Sequence, residues 1–178
     1  MLRLCTDGKP DTGLPVWRLN MIHALIMKRY HEISDDAREI PLLWSIMHMY
    51  TTTQLAKILA LKRGLNPELS GLICVFHDIY TLLTGETKSH GMKGEPYVRE
   101  IIGEYNEQWG SKIGFISDEE IKCIVEAIMV HSDKTIVTEN PYTELLKDID
   151  SIDAYLHGFE PLESNGRLKR VNTILKEI

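Results

Sequence analysis

Cysteine is scarce in this chain, and the three thiols present, Cys5, Cys74 and Cys123, are scattered and never form a Cys-x-x-Cys pair. An odd and dispersed set suggests neither a disulfide framework nor a thiolate zinc site. Cys74 and Cys123 are expected simply to fill core volume. Long apolar runs are lacking too, since no window reaches the roughly 18 to 20 residues that a membrane span needs. The opening residues, Met1-Leu2-Arg3-Leu4-Cys5-Thr6-Asp7, carry no apolar segment after their charge. A cytoplasmic location with no membrane partner is therefore the expectation. Positive charge is in short supply: 20 Lys and Arg stand against 26 Asp and Glu, a net charge of −6. A nucleic-acid polymer would favour clustered basic residues, so a small molecule is the expected partner. The sequence also lacks internal repeats, low-complexity tracts and convincing strand alternation. What remains is 178 residues of 43% hydrophobic content, enough for one well-cored domain. The expected fold is an all-α bundle of about six to eight helices.

Residues 1–15 carry Gly8, Pro10, Gly13 and Pro15 and read as an arm or loop. Ile22, Leu25, Ile26 and Tyr30 then recur at helical spacing, with His23 and His31 beside that face. A second helix is expected to begin near Asp35-Asp36, whose carboxylates suit an N-terminus, and to run past Pro41 to about Arg63. Its stripe of Trp44, His48, Thr52, Leu55 and Leu59 points His48 inward. Asn66-Pro67 opens a third helix with an N-cap and a proline at the first position. This helix, Leu69 to Ile79, is apolar on most faces and ends by presenting His77 and Asp78, with Gly85 closing it or the turn beyond.

A Gly-rich polar loop carries His90, and helical spacing resumes at Tyr97, Val98, Ile101 and Ile102. Glu104 to Asp118 reads as a polar stretch anchored by Trp109 and Phe115. Ser117 through Glu120 then caps a helix whose inner stripe of Ile121, Ile124 and Ile128 ends on His131. Asn140-Pro141 opens the next, where Leu146, Ile149, Asp150 and Asp153 share a face. A loop from Gly158 to Gly166 and a short amphipathic helix with Leu168, Val171, Ile174 and Leu175 finish the chain.

Charge buried in an apolar core is costly unless paired. His77 and Asp78 therefore call for a partner, and a metal ion satisfies a neutral imidazole and an ionised carboxylate at once. Singly, each inward polar residue has a plainer explanation, such as a core histidine bonded to a carbonyl. Together, His48, His77, Asp78, His90, His131 and Asp150 come from five separate segments, which is hard to sustain as coincidence.

The order His, His-Asp, His, His, Asp resembles the HD superfamily of metal-dependent phosphohydrolases. The residues that carry the resemblance are Ser45-Ile46-Met47-His48, Val75-Phe76-His77-Asp78, Ser89-His90-Gly91, Ala127 to His131 and Leu146 to Asp150. It covers a ligand-bearing core of about residues 44–157, within one HD-like domain spanning 1–178. The resemblance implies that His48, His77, Asp78 and Asp150 hold a first metal. Asp78 would bridge to a second, completed by His90 and His131. Imidazole and carboxylate donors suit iron or manganese, with zinc, nickel and cobalt as further fits. Such a pair of metals activates water and clamps phosphoryl oxygens.

Lys93 and Lys134, each three residues past a ligand histidine, are candidate catalytic cations for a substrate phosphate, or else ordinary solvated lysines. The expected substrate is a small phosphorylated molecule, a nucleotide ester or anhydride. Ile79-Tyr80-Thr81-Leu82-Leu83 departs from the Gly and Lys that follow the His-Asp pair in the cyclic-dinucleotide branch. The compact size resembles the branch that includes symmetrical dinucleoside tetraphosphate hydrolases. A second compact branch uses the same ligands in di-iron oxygenases of organophosphonates or polyols, and a non-catalytic binding module would keep them as well.

Overall fold

The third helix is the axis about which the others are wrapped. In the computed structural model, which describes residues 14–178, every residue of this helix from Glu68 to Phe76 is buried. The described residues form nine helical segments. They are α1 (Trp17–Tyr30), α2 (Leu42–Arg63), α3 (Pro67–Phe76), α4 (Ile79–Thr84), α5 (His90–Lys93), α6 (Glu95–Ile113), α7 (Asp118–Val130), α8 (Pro141–Leu156) and α9 (Arg167–Glu177). There is no strand among the described residues, so the chain is all-α. Seven of these helices have ten residues or more, while α4 and α5 are short turns that carry site residues. No helix among them is long and apolar enough to cross a membrane. Most of the expected arm at residues 1–15, with Cys5, lies outside the described residues.

Helix α3 packs against α1, α2, α7 and α8. Gly71 allows the approach of α1, because a Cβ there would overlap the side chain of Leu19. Local signals fix where the long helices begin. Asn66 Oδ1 accepts from the backbone N–H of Glu68 and Leu69 at 2.9 and 3.1 Å, with Pro67 at the first position of α3. Ser117 and Glu120 form a reciprocal capping box on α7, and Asn140 caps α8 ahead of Pro141.

Two expectations need correcting. The second helix starts at Leu42, not near Asp35-Asp36, because Ala37 has φ 57° and Ile40 is followed by proline, which disfavours helical backbone. Asp35 does serve a helix N-terminus, but across seven residues: its Oδ1 accepts from the Leu42 N–H at 2.7 Å. The stretch from Glu104 stays helical to Ile113, since Val98, Ile101, Ile102 and Tyr105 set a buried face that continues to half-buried Trp109. Phe115 is not a buried anchor; it is 60% exposed and covers Gly110.

Cys74 is buried and Cys123 half-buried, as volume fillers should be. His31 is exposed and His23 is buried against Tyr50, ring centroids 4.8 Å apart and nearly parallel; neither approaches the other histidines.

Candidate metal centre

All six residues singled out by the sequence meet at one end of α3. His48 comes from the middle of α2, His131 from just past the end of α7, and Asp150 from α8. His77 and Asp78 occupy a break in the central helix. In continuous helix, neighbours diverge by about 100°. Here Asp78 leaves helical geometry, φ −111° and ψ 22°, and two consecutive side chains reach one point.

His90 arrives on the one-turn helix α5. The loop ahead of it is held by Glu39, whose carboxylate accepts from the Thr87 N–H at 3.0 Å, and by Arg38, which donates to the Thr81 and Leu82 carbonyls at 2.8 and 3.0 Å. Gly91 lets α5 press on the end of α7, since a Cβ at that position would overlap the Ile128 carbonyl oxygen.

The hydrogen bonds of the histidines decide what the cluster can do. Nδ1 of His77 donates to the Cys74 carbonyl at 2.6 Å, Nδ1 of His90 to the Thr87 carbonyl at 2.7 Å, and Nδ1 of His131 to the Ile128 carbonyl at 2.7 Å. Nδ1 of His48 donates to the Asp153 carboxylate at 2.6 Å. A carbonyl or carboxylate can only accept, so all four Nδ1 atoms carry the proton and all four Nε2 atoms are left to face inward.

They face each other. His48 and His77 bring their Nε2 atoms to 3.0 Å, as do His90 and His131. Two neutral imidazoles in this orientation oppose lone pair to lone pair, so each pair requires a positive charge between its members. Burial pushes the His77 imidazolium down to about 4 and lowers that of His131 as well. Burial also works against a charged His48 and His90, but carboxylates outweigh it: Asp150 and Asp153 raise His48 to about 10, and Asp78 raises His90. Within each pair, then, the surroundings favour a positive charge on one ring and oppose it on the other.

Asp78 lies between the pairs. Its Oδ2 is 3.5 Å from His77 Nε2 and 3.8 Å from His48 Nε2, while its Oδ1 is 3.0 Å from His90 Nε2 and 3.4 Å from His131 Nε2. That Oδ1 is sealed from solvent without a hydrogen-bond donor. A buried, unsatisfied carboxylate oxygen among inward-facing imidazole nitrogens is what a cation would complete.

The donor atoms of His48, His77 and Asp150 form one compact group and those of His77, Asp78 and His131 another. Asp150 shows its Oδ1 to His48 Nε2 at 3.4 Å, and its Oδ2 is gripped by Lys134 and, at 3.3 Å, by Arg167. Burial tends to raise the pKa of either aspartate, yet both stay well below the ordinary carboxylate range, Asp78 because of the histidines around it and Asp150 chiefly because of Lys134.

The two lysines sit differently from a pair reaching for substrate. Lys134 is buried, donating to the His131 carbonyl at 2.5 Å and to Asp150, so it acts on a carboxylate of the cluster. Lys93 is half-exposed, 3.1 Å from both the Tyr80 hydroxyl and Glu86 Oε2.

Above the cluster opens a cavity of about 350 Å³, lined by His48, Asp78, His90 and Asp150 at its floor. Arg167, Trp44, Tyr155 and Phe159 are among its walls. Sequence reasoning missed Arg167 and gave Asp153 no role beyond its face. The three-residue step from Asp150 to Asp153 was the available signal for the latter.

No match was found among curated proteins or among solved structures. A family model described as HD domain matches residues 46–156, more than half of the chain and inclusive of all six converging residues. With that match laid over clusters of donors that could hold metal ions, the chain belongs to the HD-domain family, a superfamily of metal-dependent phosphohydrolases.

Proposed function

We propose that this protein is a metal-dependent phosphohydrolase that cleaves a phosphate ester or anhydride, with a nucleotide as the substrate class. The observation that carries the reading is the sealed Oδ1 of Asp78, without a donor, between two facing imidazole pairs at the floor of an open cavity. His48, His77, Asp78 and Asp150 would hold one divalent cation; Asp78, His90 and His131 would hold a second. What bound cations supply at this place is Lewis acidity, which activates water and neutralises phosphoryl charge.

The chain's own residues supply the rest. The four Nδ1–H donors lock the tautomers that keep Nε2 available. Lys134 and Arg167 pin Asp150 Oδ2 and leave Oδ1 turned toward the cluster. Arg167 also presents a guanidinium to the cavity, where a phosphoryl group would be held. The donor set, with imidazole and carboxylate and no thiolate, suits iron or manganese.

The test is phosphate release from a panel of nucleotides and simple phosphate esters by protein loaded in turn with iron, manganese or zinc, in air and under anaerobic conditions. Phosphate release that persists without dioxygen is the expected result. Turnover that consumes dioxygen and occurs with iron alone would replace this reading with that of a di-iron oxygenase using the same six residues. Metal binding without turnover of any substrate would leave a binding module.

A further inference from the structure

We infer that the substrate is a monophosphate ester of a single planar group, and that Trp44 is the residue that selects it. This rests on the phosphohydrolase reading and narrows it. Three observations converge. The cavity, about 350 Å³, lies at the small end of ligand sites, which run roughly 300 to 1,000 Å³. The space within its walls holds one phosphoryl group and one compact ring system, so the second nucleoside of a dinucleotide would lie outside them.

Charge makes the same selection. Among the described residues that line the cavity, Arg167 is the only lysine or arginine. Two of its donors are bonded to Asp150, at 3.0 and 3.3 Å, and a guanidinium has five. Spare donors remain for one phosphate. A second and third phosphate, extending from the floor, would meet aromatic rings and the carboxylate of Glu160 in place of further cations. The lysines nearest in sequence to the ligand histidines do not help, because Lys134 is buried on Asp150 and Lys93 is paired with Glu86.

The third observation is the wall. Trp44 lies parallel to the His48 ring, centroids 5.8 Å apart and planes 12° from parallel, so it stands beside the floor where phosphorus would sit. His157 and Phe159 meet it edge-on at 4.8 and 5.1 Å and fix its orientation. A large flat side chain held in place beside the reacting centre and lining the cavity offers an aromatic contact to a planar leaving group, attached directly or through one sugar. Trp44, Phe159 and Arg167 all lie outside the residues matched by the family model. In the reaction, water adds oxygen to phosphorus, the bond from phosphorus to the ester oxygen breaks, and that oxygen leaves with a proton as the free alcohol.

The experiment compares manganese- or iron-loaded protein on adenosine 5′-monophosphate, p-nitrophenyl phosphate, β-glycerophosphate, adenosine triphosphate and diadenosine tetraphosphate, for the natural sequence and for Trp44→Leu. The planar monoesters should show the highest kcat/KM. Trp44→Leu should raise KM for them about tenfold more than for β-glycerophosphate, the scale of a base against an aromatic side chain. Equal or better turnover of either polyphosphate overturns the inference while sparing the hydrolase reading. So does an equal effect of Trp44→Leu on planar and non-planar esters. If no ester is hydrolysed, the hydrolase reading fails, and calorimetry decides the narrower point: adenosine monophosphate binding more tightly than the triphosphate to the metal-loaded protein, and weakened by Trp44→Leu, upholds the selection. Absence of that preference ends it.

Discussion

Two kinds of buried histidine lie in this molecule, and they were built for different ends. His23, on α1, is 9% exposed, stacked on Tyr50, and its Nε2 has no partner. His48, His77 and His131 are at least as buried and His90 is partly buried, yet each of these four has its Nδ1 proton given to a carbonyl or carboxylate at 2.6 to 2.7 Å. Burial therefore does not mark a ligand. What sets the four apart is the fixing of the far nitrogen, which chooses the tautomer and aims the near one. His23 is a flat, neutral core residue, and the four are aimed donors.

The sharpest way to break that contrast is at the carboxylate joining the four. Asp78→Ala removes the two oxygens that face both imidazole pairs, and it should abolish binding of both metals and with it all measurable phosphate release. The fold, followed by circular dichroism, should survive, because the Asp78 side chain is a third exposed and carries no core packing. Elemental analysis of protein prepared without chelator gives the count, with one or two transition-metal ions per natural chain. His23→Phe should match the natural protein in that count. Metal retained by Asp78→Ala, or lost by His23→Phe, would erase the distinction between the two kinds.

A smaller effect is expected one bond further out. Asp153 touches no inward Nε2 atom, but it holds His48 Nδ1 at 2.6 Å and lies 3.7 Å from His157 Nε2. Asp153→Asn keeps the shape and removes the charge that makes His48 a good donor. Metal affinity, measured by competition with a chelator, should fall by about 10- to 100-fold, the usual consequence of altering such an orienting group. An unchanged affinity would mean that the tautomer of His48 is set by something other than its anchor.

How much of this was written in the sequence depends on the reach of each interaction. His48, His131 and Asp150 are legible because helical periodicity alone turns them toward the apolar stripe. His77 and Asp78 are legible as a pair, but their convergence depends on the backbone leaving helix at Asp78, which no periodicity announces. Asp35 was misplaced because its carboxylate caps a helix seven residues away. The same limit hides the cations. Lys134 sits three residues past His131 and looks free, yet the turn after α7 folds its amine back onto Asp150. Arg167 reaches the cavity only through the course of residues 157–166, an irregular segment with no repeat to read.

The smallest effect is the one His23 itself should produce, and it appears in stability alone. Burial, aided by the nearby Lys57, pushes its imidazolium down to about 4 from an ordinary 6.5. Above pH 6.5 the ring is neutral whether the chain is folded or unfolded, and the residue adds no pH dependence. Between pH 6.5 and 4 the unfolded chain takes up a proton that the folded one refuses, so stability falls as the solution is acidified. Below 4 both states are protonated and the loss levels off. By pH 5 the residue should have cost about 2 kcal/mol relative to neutral pH. In His23→Phe the ring stack on Tyr50 is kept and the titrating group is gone, so the difference in unfolding free energy between variant and natural protein should widen by that amount from pH 7.5 to pH 5, measured by urea denaturation. Both proteins carry the same cluster, whose own titration cancels in the difference. A gap that stays constant with pH would show that His23 finds a proton acceptor on folding, and its place as the neutral counterpart of the four aimed histidines would be lost.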